Sequence, residues 1–385
     1  MSQVLFEIKE ENLESGLRGF PIGYCTTSSV DPTKGLFYSG ISVDKLAYKE
    51  PEAVIYLLYH GKLPDEAELR AFKADLAKRA HCPKELIQAI YRLPRQGHPM
   101  ALFSMALLLM EMYVQTGDWK EDCLNLIAKI PEVTAAVLNH SAGWGETGTS
   151  DPEKGMIENF TSLLKVPGGD SQKLLKIFKL FNILHYDHGG GNLSTFVGKA
   201  IASGLEGMYG SMAGAMNALA GPRHGRANQD CLEFVQLVRK EVGDEATVES
   251  IEALIRKRLA ANQLVFGFGH AVLRVEDPRA AIFYDVAKKE YGTEPLVKIA
   301  LLLREAGPKV LAENPKIADP YPNVDAISGT LLSVAGFPYP EFFTVLFGMS
   351  RIVGIAIQIL YERVEARGGK GTPIVRPKYI YKPRA

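Results

Sequence analysis

Cysteine is scarce in this sequence, and the few that occur stand far apart. Cys25, Cys82, Cys123 and Cys231 form no CxxC pair, so neither a disulfide frame nor a cysteine-rich zinc site is encoded. Reduced thiols in a cytoplasmic enzyme are expected instead. Net charge is missing too. The 44 Lys and Arg balance 44 Asp and Glu, which argues against a nucleic-acid or membrane-surface partner while leaving room for a local basic pocket. The opening MSQVLFEIKEENLESG is acidic and lacks a basic segment followed by an apolar one, so it reads as neither secretory signal nor transit peptide. PMALFSMALLLMEMYV is the most tempting membrane stretch, but Glu111 cuts it short of bilayer length. No P-loop, GxSxG elbow or HExxH occurs. Strand–helix alternation is also absent, which excludes a doubly wound sheet.

What is there is helical periodicity. The 385 residues, 46% of them hydrophobic and 23% charged, suit two or three domains of about 150 residues with a sizeable core. PDEAELRAFKADLAKRA carries Leu69, Phe72 and Leu76 at three-and-four spacing. The stretches beginning at Asp170, Asp230, Ile251, Arg279 and Phe347 read as one-faced helices in the same way. Only SQVLFEI and GLFYSGISV look like strands, which predicts a large all-α protein with a small N-terminal β ribbon. The GxxxG from Gly210 to Gly214 sits beside Glu206 and predicts close helix packing in a core or subunit interface rather than in a bilayer.

The chemistry-bearing residues fall at the turns between helices. In GFGHAVLRVEDPR the first glycines mimic a dinucleotide fingerprint, but Val272 replaces its last glycine. The stretch therefore reads as a tight turn from which His270 emerges, followed by a helix start with Asp277 as cap and Pro278 as first residue. Arg279 gains nothing from that helix end, so either a bound anion or a surface ion pair explains it. GPRHG places His224 before a helix, where a lowered pKa keeps imidazole neutral and able to donate to a carbonyl becoming an enolate, although simple capping or packing serves equally well. YPNVDAISG puts Asp325 at a helix start, where a carboxylate is favoured whatever its role and stays ionised as a base. HYDHGGGN holds His185 and His188 three apart; with no third ligand motif, donation from the glycine turn to a substrate oxygen is preferred over metal binding. Two histidines, one carboxylate and several arginines suit proton abstraction beside a carbonyl with an anionic co-substrate.

Taken in order, DHGGGN, GPRHG, GFGHAVLR with DPR, YPNVDAISG, Ser350-Arg351 and RPK at 376–378 closely resemble the citrate synthase family, from about residue 20 to residue 378. The resemblance implies an all-α homodimer. Its large domain would comprise residues 1–225 and 337–385, and the inserted small domain, residues 226–336, would close over the cleft. It implies Asp325 as base for acetyl-CoA, His224 as donor to the thioester oxygen and His270 as donor to the oxaloacetate ketone. His188, Arg279 and Arg351 would grip the dicarboxylate, with Arg376 reaching in from the partner subunit. Arg274 and Lys316 would meet coenzyme A phosphates, and the backbone of Leu264, Val265, Phe266, Gly267, Phe268 and Gly269 would line the adenine site. Coenzyme A enters as a thioester substrate; no separate cofactor, metal, nucleic acid or membrane is implied.

Three features depart from the family pattern. Ser39 stands where arginine is common, Gly189 where glutamate is frequent, and RGGKGT (367–372) resembles a local insertion. The first removes one expected phosphate contact. The insertion makes the placement of Arg376 less secure than that of Arg351. A 2-methylcitrate synthase using propionyl-CoA is the nearest alternative, since one methylene alters specificity by only about 1–3 kcal/mol. Citryl-CoA cleavage and a non-catalytic helical scaffold are further alternatives. The missing P-loop weighs against the first, the intact His224, His270 and Asp325 against the second.

Overall fold

The stretch FTVLFGMSRIVGIAIQIL organises the molecule. In the computed structural model, which describes residues 4–384, it forms helix Phe343–Leu360 with every residue buried. By length and composition the segment Pro340–Glu365, with mean hydropathy 1.8, could cross a membrane, yet its apolar window is wholly covered by protein. The periodicity from Phe347 onward predicts a helix with a single apolar face. The structure instead surrounds it with helices Pro51–His60, Pro99–Val114, Trp119–Ala142, Ser171–His185, Leu193–Ala202, Met208–Leu219 and Ala227–Val242, and a helix apolar all round belongs in such a centre. Gly354 allows one neighbour to come very close. A Cβ there would sit 2.4 Å from Tyr186 O, the carbonyl that accepts Gly354 N–H at 3.0 Å.

The described residues contain 16 α-helices and few strands, so the all-α expectation holds. Aspartates placed before periodic runs act as caps: Asp65 accepts from Glu68 N at 2.8 Å, and Asp170 from Gln172 N at 3.0 Å. A meander of Ser28–Asp31, Gly35–Tyr38 and Ile41–Ser42 forms the three-stranded antiparallel sheet, with Ser29 opposite Phe37 and Tyr38 opposite Ile41. GLFYSGISV thus becomes a hairpin turning at Ser39 and Gly40, whose φ values of 44° and 81° are both left-handed. SQVLFEI is not a strand in its described part. Val4, Leu5 and Ile8 are exposed and find no partner to complete a ladder; Ser2 and Gln3 lie outside the described residues.

Helices Ala227–Val242, Val248–Ala260, Pro278–Tyr291, Pro295–Leu311 and Asp325–Val334 pack on one another. The GxxxG lies in helix Met208–Leu219, which rests on Leu193–Ala202 and Pro99–Val114. A Cβ on Gly214 would fall 2.1 Å from Ile201 Cδ1, so this glycine serves close helix packing inside the subunit.

Candidate active site

The glycine turn and the Asp325 helix are stitched into one unit. Gly267 and Gly269 adopt φ of 86° and 85°, which only glycine tolerates without strain. A Cβ at Gly267 would stand 2.8 Å from Ala326 Cα. Gly269 N donates to Tyr321 O at 3.0 Å, and Asn323 N donates to Gly267 O at 2.9 Å. The Asn323 side chain adds a bond to Gly269 O at 3.0 Å and accepts Asp325 N at 3.1 Å. His270 therefore leaves the turn on a frame that also carries Asp325.

Hydrogen bonds fix the tautomer of each half-buried histidine, in opposite senses. His270 Nδ1 accepts Val272 N at 3.0 Å and Leu273 N at 2.9 Å, so its proton is on Nε2. His224 Nε2 accepts Ser194 N at 3.3 Å and pairs with Ser194 Oγ at 2.9 Å, so its proton is on Nδ1. Burial, reinforced by Arg279, brings His270 down to about 4; burial, reinforced by Arg351, does the same for His224. Both rings are neutral at pH 7. A helix end alone predicts a neutral His224, but desolvation is the larger cause.

Asp325 corrects an expectation. Burial pushes its half-buried carboxyl up to about 7, with Asp277 adding and Arg279 and Arg351 opposing. It is poised near neutrality rather than held ionised, because desolvation outweighs the roughly 1 kcal/mol that a helix N-terminus offers. Such a carboxyl is a stronger base toward carbon than an ordinary aspartate.

Two buried arginines form the floor. Arg279, 4% exposed, binds Asp277 through Nε at 3.0 Å and Nη2 at 2.7 Å. The ion pair weighed from sequence exists, but it is buried rather than superficial, and Asp277 is both helix cap and carrier of Arg279. Arg351, 2% exposed, gives Nε–H to His185 O at 2.8 Å and lies 4.8 Å from the centre of the Phe347 ring. Burial and Arg279 lower its pKa to about 10 against the pull of Asp187, so it stays charged. The His188 ring lies 5.1 Å from that of His270, and its Nε2 is closed to solvent without a partner. His185 turns its Nδ1 to Phe181 O at 2.8 Å and stacks on the Phe181 ring.

The remaining expected residues differ in exposure. Arg274 is exposed and folds its Nη1 back onto the carbonyls of His270, Val272 and Leu273. Lys316 is exposed, as is Leu264; Val265, Phe266, Phe268 and Gly269 are half-buried and Gly267 is buried. Arg376 is exposed, on the C-terminal segment beyond the 367–371 glycine turn. Ser39 Oγ donates to Leu57 O of helix Pro51–His60 at 3.3 Å. Gly189, at φ 76°, gives its N–H to Ser28 Oγ at 2.7 Å.

Sequence reasoning passed over three supporting residues. Asp187, fully buried, accepts His188 N and Gln358 Nε2, each at 2.8 Å, and is also bound by Thr27 Oγ1. Ser194 sets the His224 tautomer, and Phe347 lies beneath Arg351. Only Asp187 had a local signal, as the acidic neighbour of His188; the others are set by packing between distant segments.

Comparison with known proteins extends these observations along the whole chain. The family profile described as citrate synthase, C-terminal domain, matches residues 16–378. Mitochondrial citrate synthase 4 of Arabidopsis thaliana is 34% identical over 389 residues, covering 95% of this chain and 80% of the relative. The mitochondrial 2-methylcitrate synthase of Yarrowia lipolytica is also 34% identical, over 97% of this chain and 84% of its own length. Among solved structures, the ternary complex of a Thermoplasma acidophilum citrate synthase with carboxymethyl coenzyme A and oxaloacetate superposes with a TM-score of 0.82 at 27% identity, covering 96% of both chains. Sequence and backbone agree nearly end to end, and the helical scaffold around this histidine, carboxylate and arginine cluster belongs to an enzyme of the citrate synthase family.

Proposed function

We propose that this enzyme condenses acetyl-CoA with oxaloacetate and hydrolyses the citryl thioester to citrate and free coenzyme A. The observation that carries the reading is the pair of neutral histidines with opposite tautomers, set beside a carboxyl held near 7. Asp325 takes a proton from the thioester methyl while His224 Nδ1–H donates to the thioester oxygen, stabilising the enolate where its charge develops. The nucleophilic carbon then attacks the oxaloacetate ketone. His270 Nε2–H polarises that carbonyl and protonates the alkoxide as the C–C bond forms. Water finally cleaves the thioester: it returns a proton to the His270 imidazolate as it attacks, protonated Asp325 gives its proton to the departing coenzyme A thiolate, and the new carboxyl group loses its proton to solvent. No metal or further cofactor is needed for this balance.

His188, Arg279 and Arg351 bind the dicarboxylate, since a guanidinium fork matches carboxylate geometry. Arg274, Lys316 and the 264–269 backbone take coenzyme A. Residues 226–336 close over the cleft and exclude water until the bond is made. Arg376 completes the partner subunit's site in a homodimer, consistent with exposed Tyr379, Ile380 and Tyr381 on the same segment. Four free thiols accord with a reducing compartment such as the cytoplasm, which cell fractionation decides.

Free-thiol release with acetyl-CoA or propionyl-CoA, each with and without oxaloacetate, tests the activity. Oxaloacetate-dependent release from acetyl-CoA is expected, and its absence with both thioesters would sink the synthase reading. Faster turnover of propionyl-CoA favours the 2-methylcitrate synthase reading, which the Yarrowia relative keeps in view. Sedimentation at micromolar protein tests the dimer: a fully active monomer contradicts an Arg376 contributed across subunits.

A further inference from the structure

The two groups assigned to enolisation come from distant parts of the chain, and one buried amide joins their supports. His224 lies in the turn that starts helix Ala227–Val242, its carbonyl accepting Ala227 N at 3.2 Å. Asn228, in the first turn of that helix, is 1% exposed and donates Nδ2–H to Ser328 Oγ at 2.8 Å. Ser328, likewise 1% exposed, belongs to the first turn of helix Asp325–Val334. Gly329 lets the helices touch at backbone distance: a Cβ there would fall 2.4 Å from Asn228 Oδ1 and 3.1 Å from Asn228 O.

Two details argue that this amide does more than fill space. Its Oδ1 is buried without a hydrogen-bond partner, a standing cost that an apolar side chain of similar volume would avoid. Whichever way the carboxamide is turned, one head meets the Ser328 hydroxyl, so the bond fixes the axial register of two helices that could otherwise slide. One turn further along, Cys231 Sγ lies 3.4 Å from where a Gly267 Cβ would stand. The helix that begins beside His224 is therefore the common mount for both the glycine turn of His270 and the helix of Asp325.

Resting on the functional reading above, we infer that Asn228 is a positioning residue for enolisation: through Ser328 it sets the Asp325 carboxylate relative to the turn that carries His224. Proton transfer from carbon tolerates little displacement, and an error of about 1 Å can cost about 100-fold in rate. Loosening one inter-helix bond is expected to cost a part of that, about tenfold.

The test compares steady-state kinetics and melting temperature of wild type, Asn228→Ala, Ser328→Ala and the double variant. Each single variant is expected to lose about tenfold in kcat while KM for oxaloacetate stays within about twofold, because Arg351 and His188 are carried by other segments and Arg279 is held by its own pair with Asp277. The double variant should be no slower than Asn228→Ala, since both changes break the same bond. If Asn228→Ala does not fold, Ser328→Ala, which removes only a hydroxyl, decides alone. Single variants with wild-type kcat and only a lowered melting temperature overturn the inference, as does a double variant whose losses multiply. A wild-type chain that releases no thiol overturns the functional reading and the inference with it; an active wild type with unaffected variants overturns the role of Asn228 alone.

Discussion

The two proposed binding regions are built in opposite ways. At the proposed dicarboxylate end, Arg279 and Arg351 are 4% and 2% exposed, each tied by hydrogen bonds to its own chain before any substrate arrives. At the proposed coenzyme A end, Arg274 and Lys316 are exposed, and the Arg274 side chain bonds only to carbonyls of its own loop. The difference matches what each end must do. A small dianion offers few atoms, so affinity and orientation depend on desolvated, preorganised charge. A long nucleotide thioester has many contacts to share, and its phosphates can be met by flexible cations in water. Substitutions at the buried end should therefore be severe and specific, and those at the exposed end mild.

The strongest way to break the comparison is Asp325→Asn. Loss of the base is expected to lower kcat by about 10³-fold with oxaloacetate binding retained, so near-normal kcat would remove Asp325 from the chemistry. The same change has an opposite effect on stability. The folded-state pKa of Asp325 is raised to about 7 from 3.8, so the native state binds more protons than the unfolded state between those values. Stability thus falls as pH rises through that window, and the ionised side chain destabilises the fold above it. At pH 8 the Asn variant should unfold with about 2 kcal/mol more stability, and at pH 3 with little difference. Urea melts at the two pH values check this. In the wild type, kcat/KM should climb as pH rises through about 7, the value for the free carboxyl.

Arg351→Lys comes next in expected size. Lysine keeps the charge but loses the planar fork, the Nε bond to His185 O and the stacking on Phe347. KM for oxaloacetate should rise by about 100-fold and KM for acetyl-CoA by less than about threefold. An equal rise in both would mean that the two ends are not separately built.

The histidines give a smaller effect of known sign. His224 and His270 are lowered to about 4 from 6.5, so between these values the unfolded chain binds the extra protons. Stability should fall as pH drops through that window, and the double variant His224→Gln/His270→Gln should flatten the loss in a melting-temperature series from pH 6.5 to 4.5. A wild-type curve already flat there would show that both rings charge freely in the folded protein.

How much of this was legible in the sequence follows the same division. Local signals were readable: Asp277 caps the helix it precedes, and the Gly267–Gly269 turn exists because only glycine fits against Ala326. The candidate residues His188, His224, His270, Arg279, Asp325 and Arg351 stood at turns or in quotable motifs. Burial was not readable. The one-faced expectation for the helix of Arg351 failed because what surrounds it comes from seven other helices. Asp325 was expected to stay ionised because a helix end can be seen in sequence and desolvation cannot. Asn228 and Ser328 are 100 residues apart, and nothing local announces their bond.

Arg274→Ala is the mildest prediction, and it sharpens the contrast. In this structure Arg274 Nη1 serves the carbonyls of residues 270, 272 and 273, so the side chain must release them to reach a phosphate. An exposed contact of that kind contributes about 1 kcal/mol and is screened by salt. KM for acetyl-CoA should rise about fivefold in low salt and about twofold near 0.5 M, with kcat and KM for oxaloacetate unchanged. A fall in kcat instead would mean that Arg274 acts mainly on the loop, steadying the backbone N–H groups that hold His270 Nδ1, and the exposed end would then share in the chemistry of the buried one.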